Sequence, residues 1–470
     1  GSAAGLIEVA DWSVTQEGRT TSAFSKNLAG GGDVDGDGYD DVVVGFPALG
    51  LGGEAHAFLG SPSGLSTSPD WVVVSDVEDA ELGGAVAIVG DADDDGFDDV
   101  VIGAPGNEGH VDGRFRFYRG SAGGLEAEPH AEGVGEEHDF SFSVAGAGDV
   151  DGDGHDDFLI GAPDEVVDPH TPRCDSSVYL YRGSVDGIDA SEPGWTLVSE
   201  LPEDDLFGPT AAVGDVNGDG YDDLMVSAVD YDPAGAAFLY EGSATGLQTT
   251  ASWSAEGAEP DARFGAGMAA AGDVDGDGFG DVLIGAPGIP TTSPSAEPYA
   301  YLFRGGATGP ELTPGWSYAD AAAGMLATVV AGAGDVNGDG FDDVAVGAPG
   351  YDGALTNQGA VFVFHGGGSG PSSAPDWSAI GGGLDDTFGT SVAGGEDVDG
   401  DGFDDLLVGV PGYTDGDLGE GRIDLFRGTG TGLESTPSWS QASDAVGAGL
   451  GTEVVMAGDI DGDGFADLAA

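Results

Sequence analysis

An acidic nonapeptide, Asp-x-(Asp/Asn)-x-Asp-Gly-x-x-Asp, begins at Asp33, Asp91, Asp149, Asp215, Asp273, Asp335, Asp397 and Asp459. The copies lie 58 to 66 residues apart. Self-similarity at a fixed period marks a repeat architecture, so each copy belongs to one supersecondary unit. Every period has the same internal order. Small residues such as Ser143-Val144-Ala145-Gly146 lead into the acidic stretch, and an apolar run follows it, as in Phe158-Leu159-Ile160. Gly-Ala-Pro ends that run at residues 103–105, 161–163, 285–287 and 347–349. After a variable Gly/Pro/Asp stretch come an alternating aromatic run, such as Ala360-Val361-Phe362-Val363-Phe364, a Gly/Ser turn and a short segment carrying Trp. Those tryptophans are Trp12, Trp71, Trp195, Trp253, Trp316, Trp377 and Trp439, with Ala131 in the slot of the period that lacks one. Their expected role is packing between repeats.

Four short strand-type segments per period, with turn signals between them and no helical periodicity, predict blades of an all-β propeller. The chain starts with a turn like the one after the third strand elsewhere and ends on a second strand. Residues 1–470 are therefore read as one domain, its ring closed by an N-terminal strand near residues 10–15. Eight four-stranded blades are expected. Seven blades with a partial eighth repeat at the ends is the alternative. The strand missing from the last blade predicts further residues past Ala470.

The spacing of the acidic stretch states its chemistry. A hard cation such as calcium takes six to eight oxygens. Carboxylates on alternate residues of a tight loop can all turn inward, glycine at the sixth position permits the turn, and the seventh residue offers its carbonyl. The ligand sets are Asp33, Asp35, Asp37, Tyr39 and Asp41; Asp91, Asp93, Asp95, Phe97 and Asp99; Asp149, Asp151, Asp153, His155 and Asp157; and Asp215, Asn217, Asp219, Tyr221 and Asp223. The remaining four are Asp273, Asp275, Asp277, Phe279 and Asp281; Asp335, Asn337, Asp339, Phe341 and Asp343; Asp397, Asp399, Asp401, Phe403 and Asp405; and Asp459, Asp461, Asp463, Phe465 and Asp467. Up to eight calcium ions per chain are expected. An EF-hand would need Glu at the twelfth position, but that position holds only Val, Ile or Ala. Magnesium, which prefers a stricter octahedron with retained waters, suits the loop less well. Without metal the clustered carboxylates repel one another, so metal binding and folding should be coupled.

These motifs resemble the FG-GAP repeats of integrin-α-type calcium propellers. Phe-Gly appears at residues 207–208, 264–265 and 388–389, with Phe24-Ser25 in its place in the first repeat and Ser227-Ala228-Val229 where Gly-Ala-Pro is expected in the fourth. The resemblance implies calcium ligands at positions one, three, five and nine of each loop and at the seventh carbonyl. The Gly/Asp-rich, nearly Lys-free composition looks like that of a bacterial relative.

Composition bounds the partners. Only 11 Lys and Arg stand against 86 Asp and Glu, a formal net charge of −75. That excludes a phosphate-binding surface for nucleic acid and a polybasic membrane patch. No 18-residue apolar window predicts a transmembrane helix, and residues 1–11 do not read as a signal peptide. Cys174 is the sole cysteine, so no intrachain disulfide can staple the chain. Calcium sites of extracellular modules bind at roughly 10⁻⁴ to 10⁻³ M, so an extracellular or cell-surface address is expected. The expected role is a binding or adhesion module, a monomer recognising a protein or glycan through the face opposite the acidic loops. Candidates there are the loop from Asp164 to Ser176 with His170, Arg173 and Cys174, the loop from Gly288 to Pro298, and Tyr351 and Tyr413. A propeller lyase or hydrolase and a surface-layer spacer are the alternatives. No His-Glu-x-x-His, Gly-x-Ser-x-Gly or phosphate-cradling motif is present, so no catalytic or organic cofactor site is expected.

Overall fold

The computed structural model describes residues 12–13, 27–106, 112–135, 140–163, 176–198, 207–288, 297–320, 324–415, 419–443 and 445–470, without the side chains of 207–209. Each repeat alternates apolar and small residues over four to six positions and then turns on Gly, Asp or Pro. It therefore folds as an antiparallel meander. The first blade pairs Leu28–Gly32, Asp41–Phe46, Glu54–Phe58 and Trp71–Val74 in that order. Six further four-stranded sheets repeat the order.

The first strands neighbour one another around the ring and the fourth strands lie outermost. Second strands such as Asp157–Ala162 and Asp405–Val410 are buried along their whole length, which explains their continuous apolar runs. The core is a set of clusters between successive blades. Tryptophans seal these seams. Trp71, Trp195, Trp253, Trp316 and Trp377 each meet the last aromatic ring of the next blade's third strand edge-on, at centroid distances of 4.8 to 5.2 Å. Each indole N–H also donates to a carbonyl of that next blade, at 2.8 to 3.0 Å.

The expectation of eight blades is corrected. The fold is a β-propeller of seven four-stranded blades, the alternative count. Among the described residues the eighth repeat adds a two-stranded sheet, Val455–Met456 with Leu468–Ala469. A two-stranded ribbon cannot bury both faces alone, and Val455–Met456 packs between the innermost strands of the seventh and first blades, Val392–Glu396 and Leu28–Gly32. Trp12 stands against the first blade as the other tryptophans stand against theirs. Its ring meets Phe58 edge-on at 4.8 Å, and its N–H donates to the carbonyl of Ser66.

Candidate metal centres

All eight acidic loops join a first strand to a second and therefore emerge on one face. Their backbone is wound onto their own carboxylates. In the first loop Asp33 accepts the N–H groups of Gly36, Asp37 and Gly38. Asp37 accepts that of Tyr39. The ninth aspartate is fully buried and braces the hairpin. Asp41 accepts from Val34 N at 2.8 Å and from Gly60 N, at the turn after the third strand, at 2.7 Å. The same pair of bonds recurs at Asp99, Asp157, Asp223, Asp281, Asp343 and Asp405.

Burial penalises the charged form of these ninth residues more than the N–H donors favour it. Asp99 and Asp157 are pushed up to about 8, and Asp41, Asp223, Asp281, Asp343 and Asp405 to about 7. Burial, with the neighbouring carboxylate next, also raises Asp35, Asp95 and Asp401.

Carboxylate oxygens converge within 4.8 Å of one another for Asp33, Asp35 and Asp37 in the first loop. In four other loops the converging set comes from the first, third and ninth positions: Asp91, Asp93 and Asp99; Asp149, Asp151 and Asp157; Asp273, Asp275 and Asp281; and Asp397, Asp399 and Asp405. The Oδ1 atoms of Asp93, Asp151 and Asp275 are buried with no hydrogen-bond partner among the described residues. An orphaned buried carboxylate oxygen beside two more carboxylates fits a hard cation that takes only oxygen donors. The residues present thus suit calcium. Asp33, Asp35, Asp37 and Asp41, and their counterparts in the other loops, would hold it.

One repeated residue escaped the sequence reading. The eighth loop position is Asp in six copies. In each, its carboxylate reaches back to the preceding loop and accepts the N–H of that loop's first aspartate. Asp98 does so for Asp33, Asp156 for Asp91, Asp222 for Asp149, Asp342 for Asp273, Asp404 for Asp335 and Asp40 for Asp459, at 2.6 to 3.1 Å. In return its own N–H donates to the carbonyl of that first aspartate. The seventh-position ring has a cross-blade role too. Phe97, Tyr221, Phe279, Phe341, Phe403, Phe465 and Tyr39 each lie over the fourth-position glycine of the neighbouring loop. The signal was available in the Gly-Asp step that precedes the loops. A Cβ at Gly90, Gly148, Gly272, Gly334 or Gly458 would strike the incoming eighth-position carboxylate. Where the next loop has Gly280 or Ala466 instead, the preceding residue is an unobstructed Gly214 or Glu396.

The opposite face carries the 2–3 and 4–1 connections. His170, Arg173 and Cys174 lie outside the described residues, as do 289–296, Phe24-Ser25 and the side chains of Phe207-Gly208. Tyr351 packs against Phe362, and Tyr413 lies under the Arg422 guanidinium at 4.2 Å. Both rings are half-buried rather than free. Leu51, Phe142, Met325, Leu355, Leu384 and Val446 are exposed on this face, and none was singled out from the sequence. Among the described residues no helix is long and apolar enough to cross a membrane.

Blades of this topology with acidic hairpins define a repeat propeller whose loops gather carboxylates on one face. Five stretches, residues 140–180, 207–240, 264–291, 327–364 and 388–426, match the FG-GAP repeat. Integrin alpha pat-2 of Caenorhabditis briggsae is 33% identical over 238 residues, covering 46% of this chain and 19% of the worm protein. Integrin alpha-PS2 of Drosophila melanogaster is 32% identical over 227 residues, 45% of this chain and 16% of the fly protein. Integrin alpha-7 of Mus musculus is 32% identical over 277 residues, 52% and 21% of the two chains. The chain is an FG-GAP propeller of integrin-α-like type, and it spans about a fifth of the length of these relatives.

Proposed function

We propose that this propeller is a calcium-stabilised binding or adhesion module acting outside the cell or at its surface. In this reading a monomer recognises a protein or glycan through the face opposite the acidic loops. The observation that carries it is the separation of roles between the faces. One is occupied by repeated carboxylate loops with orphaned buried oxygens. The other bears connections that differ from blade to blade and expose large apolar side chains. Conserved-geometry scaffolds with variable loops carry recognition on those loops. A cleft of about 170 Å³ on that face, between residues 47–52, Asp79 and Glu81, is small beside the ~300 Å³ of enclosed ligand pockets.

The same reading treats residues 1–470 as one domain closed by the segment near residues 10–15, which the placement of Trp12 supports. It also places calcium in as many as eight loops. The test is native mass spectrometry with and without chelator, with melting followed in parallel. About eight ions and a melting temperature that drops on chelation are expected. Few ions and unchanged melting would sink the calcium reading. Probing protein and glycan arrays with the calcium-loaded chain then tests recognition.

A further inference from the structure

Four of the chain's 11 Lys and Arg residues occupy one repeated place. Arg119, Arg182, Arg304 and Arg427 each follow the last residue of a third strand and precede the turn glycine. Each guanidinium pairs with the third-position aspartate of its own blade's loop. Arg119 Nε lies 2.7 Å from Asp93 Oδ2, Arg182 Nη1 2.8 Å from Asp151 Oδ2 and Arg304 Nη1 3.2 Å from Asp275 Oδ2, and Arg427 is paired likewise with Asp399.

The pairing follows the charge of the loop. Where the third position is the neutral Asn217 or Asn337, the strand-end residue is Glu241 or His365. The one described exception is the first blade, where Asp35 faces a loop without a guanidinium because Leu59 stands there. Four carboxylates with one arginine carry the same formal charge as three carboxylates with asparagine. With the strand-end residue counted, the first loop beside Leu59 and the fourth beside Glu241 both keep a formal −4, and neither has an arginine.

We infer that these arginines are resident counter-ions that lower the cation affinity of their loops below that of the first loop. The inference rests on the calcium reading above. Its geometry is specific. The arginine takes Oδ2 of the aspartate, while Oδ1 of Asp93, Asp151 and Asp275 is left buried and unpartnered among the described residues. One carboxylate thus bridges a permanent cation and the space where the loop's other oxygens converge. A positive charge a few ångströms from a divalent ion opposes its binding, and near a protein surface this amounts to tenfold or more. Without the ion, the same arginine offsets the repulsion among the carboxylates.

The test is a calcium titration of the full chain, read ion by ion in native mass spectrometry and by calorimetry. Arg182→Leu, which copies the first blade, should tighten one site by about tenfold. Arg182→Lys keeps the charge and should leave the isotherm near wild type. Leu59→Arg should weaken one site by a similar factor. Arg182→Leu should also lower the melting temperature more in chelator than at saturating calcium, whereas loss of packing alone lowers both equally. Binding that is unchanged in both Arg182→Leu and Leu59→Arg, with a wild-type chain that takes up calcium, overturns the inference and leaves the calcium reading standing. A wild-type chain that takes up none overturns both.

Discussion

Gly338 and Gly340 stand two residues apart in one acidic loop, both with positive φ, at 72° and 88°. An added Cβ at Gly340 meets nothing, whereas at Gly338 it runs into the Phe403 ring of the next blade. Alanine at either position bears the left-handed backbone cost of roughly 1 kcal/mol. At Gly338 overpacking adds about 1–3 kcal/mol. Denaturant melts at saturating calcium should therefore rank Gly338→Ala as clearly the less stable variant. In the second loop this place holds Asp94, which carries a positive φ of 55°. The next blade there offers His155 rather than a phenyl or phenol ring.

Glu453 makes a second case at this scale. Burial alone pushes its carboxyl from 4.5 up to about 7, and its Oε2 has no partner among the described residues. The folded chain holds this proton more tightly than the unfolded chain does. The associated stability is present below about pH 4.5 and is lost as pH rises through 7. Glu453→Gln should remove that dependence. Above pH 7 the variant should be the more stable by on the order of 1 kcal/mol after allowance for solvent screening. Melting temperatures from pH 5 to 8 check the sign.

At the scale of the blade, the eighth-position aspartate joins neighbouring elements through a reciprocal pair of hydrogen bonds. Asp98→Ala leaves the Asp33 N–H without its acceptor and should cost about 1–3 kcal/mol. The fifth loop offers the converse experiment. Gly280 stands where the other blades place this aspartate, its φ is not left-handed, and a Cβ there has only ordinary contacts, at 3.9 and 4.0 Å. Gly280→Asp should add the missing acceptor for Asp215 N and stabilise by about 1 kcal/mol at saturating calcium. A melt no higher than wild type would show that the clamp contributes nothing.

At the scale of the molecule, the seam between the first and last repeats uses the same aspartate clamp as five other seams. Asp40 accepts from Asp459 N at 2.6 Å across 419 residues of sequence, and Tyr39 lies over Gly462. In a repeat protein each unit touches only its neighbours, so damage should stay local. Asp40→Ala should speed hydrogen exchange in Leu28–Gly32 and Val455–Met456 while leaving Val329–Gly334, on the far side of the ring, unchanged. Equal acceleration in all three strands would refute the local picture.

The strands, their order in each blade, and the place of all eight acidic loops between first and second strands were legible in the residues. Each depends on chemistry within a few positions: alternation along Ala360–Phe364, glycine at the sixth loop place, carboxylates on alternate residues. The blade count, the cross-blade grip of Asp98 and its counterparts, and the pairing of Arg182 with Asp151 were not legible. The last depends on the folded meander of a single blade, which brings together residues 31 positions apart, and the others on ring closure, which joins residues 65 or 419 positions apart. Local pattern determined what every repeat is; only the closed ring decided what each repeat holds on to, because those bonds exist only once neighbouring repeats are packed side by side.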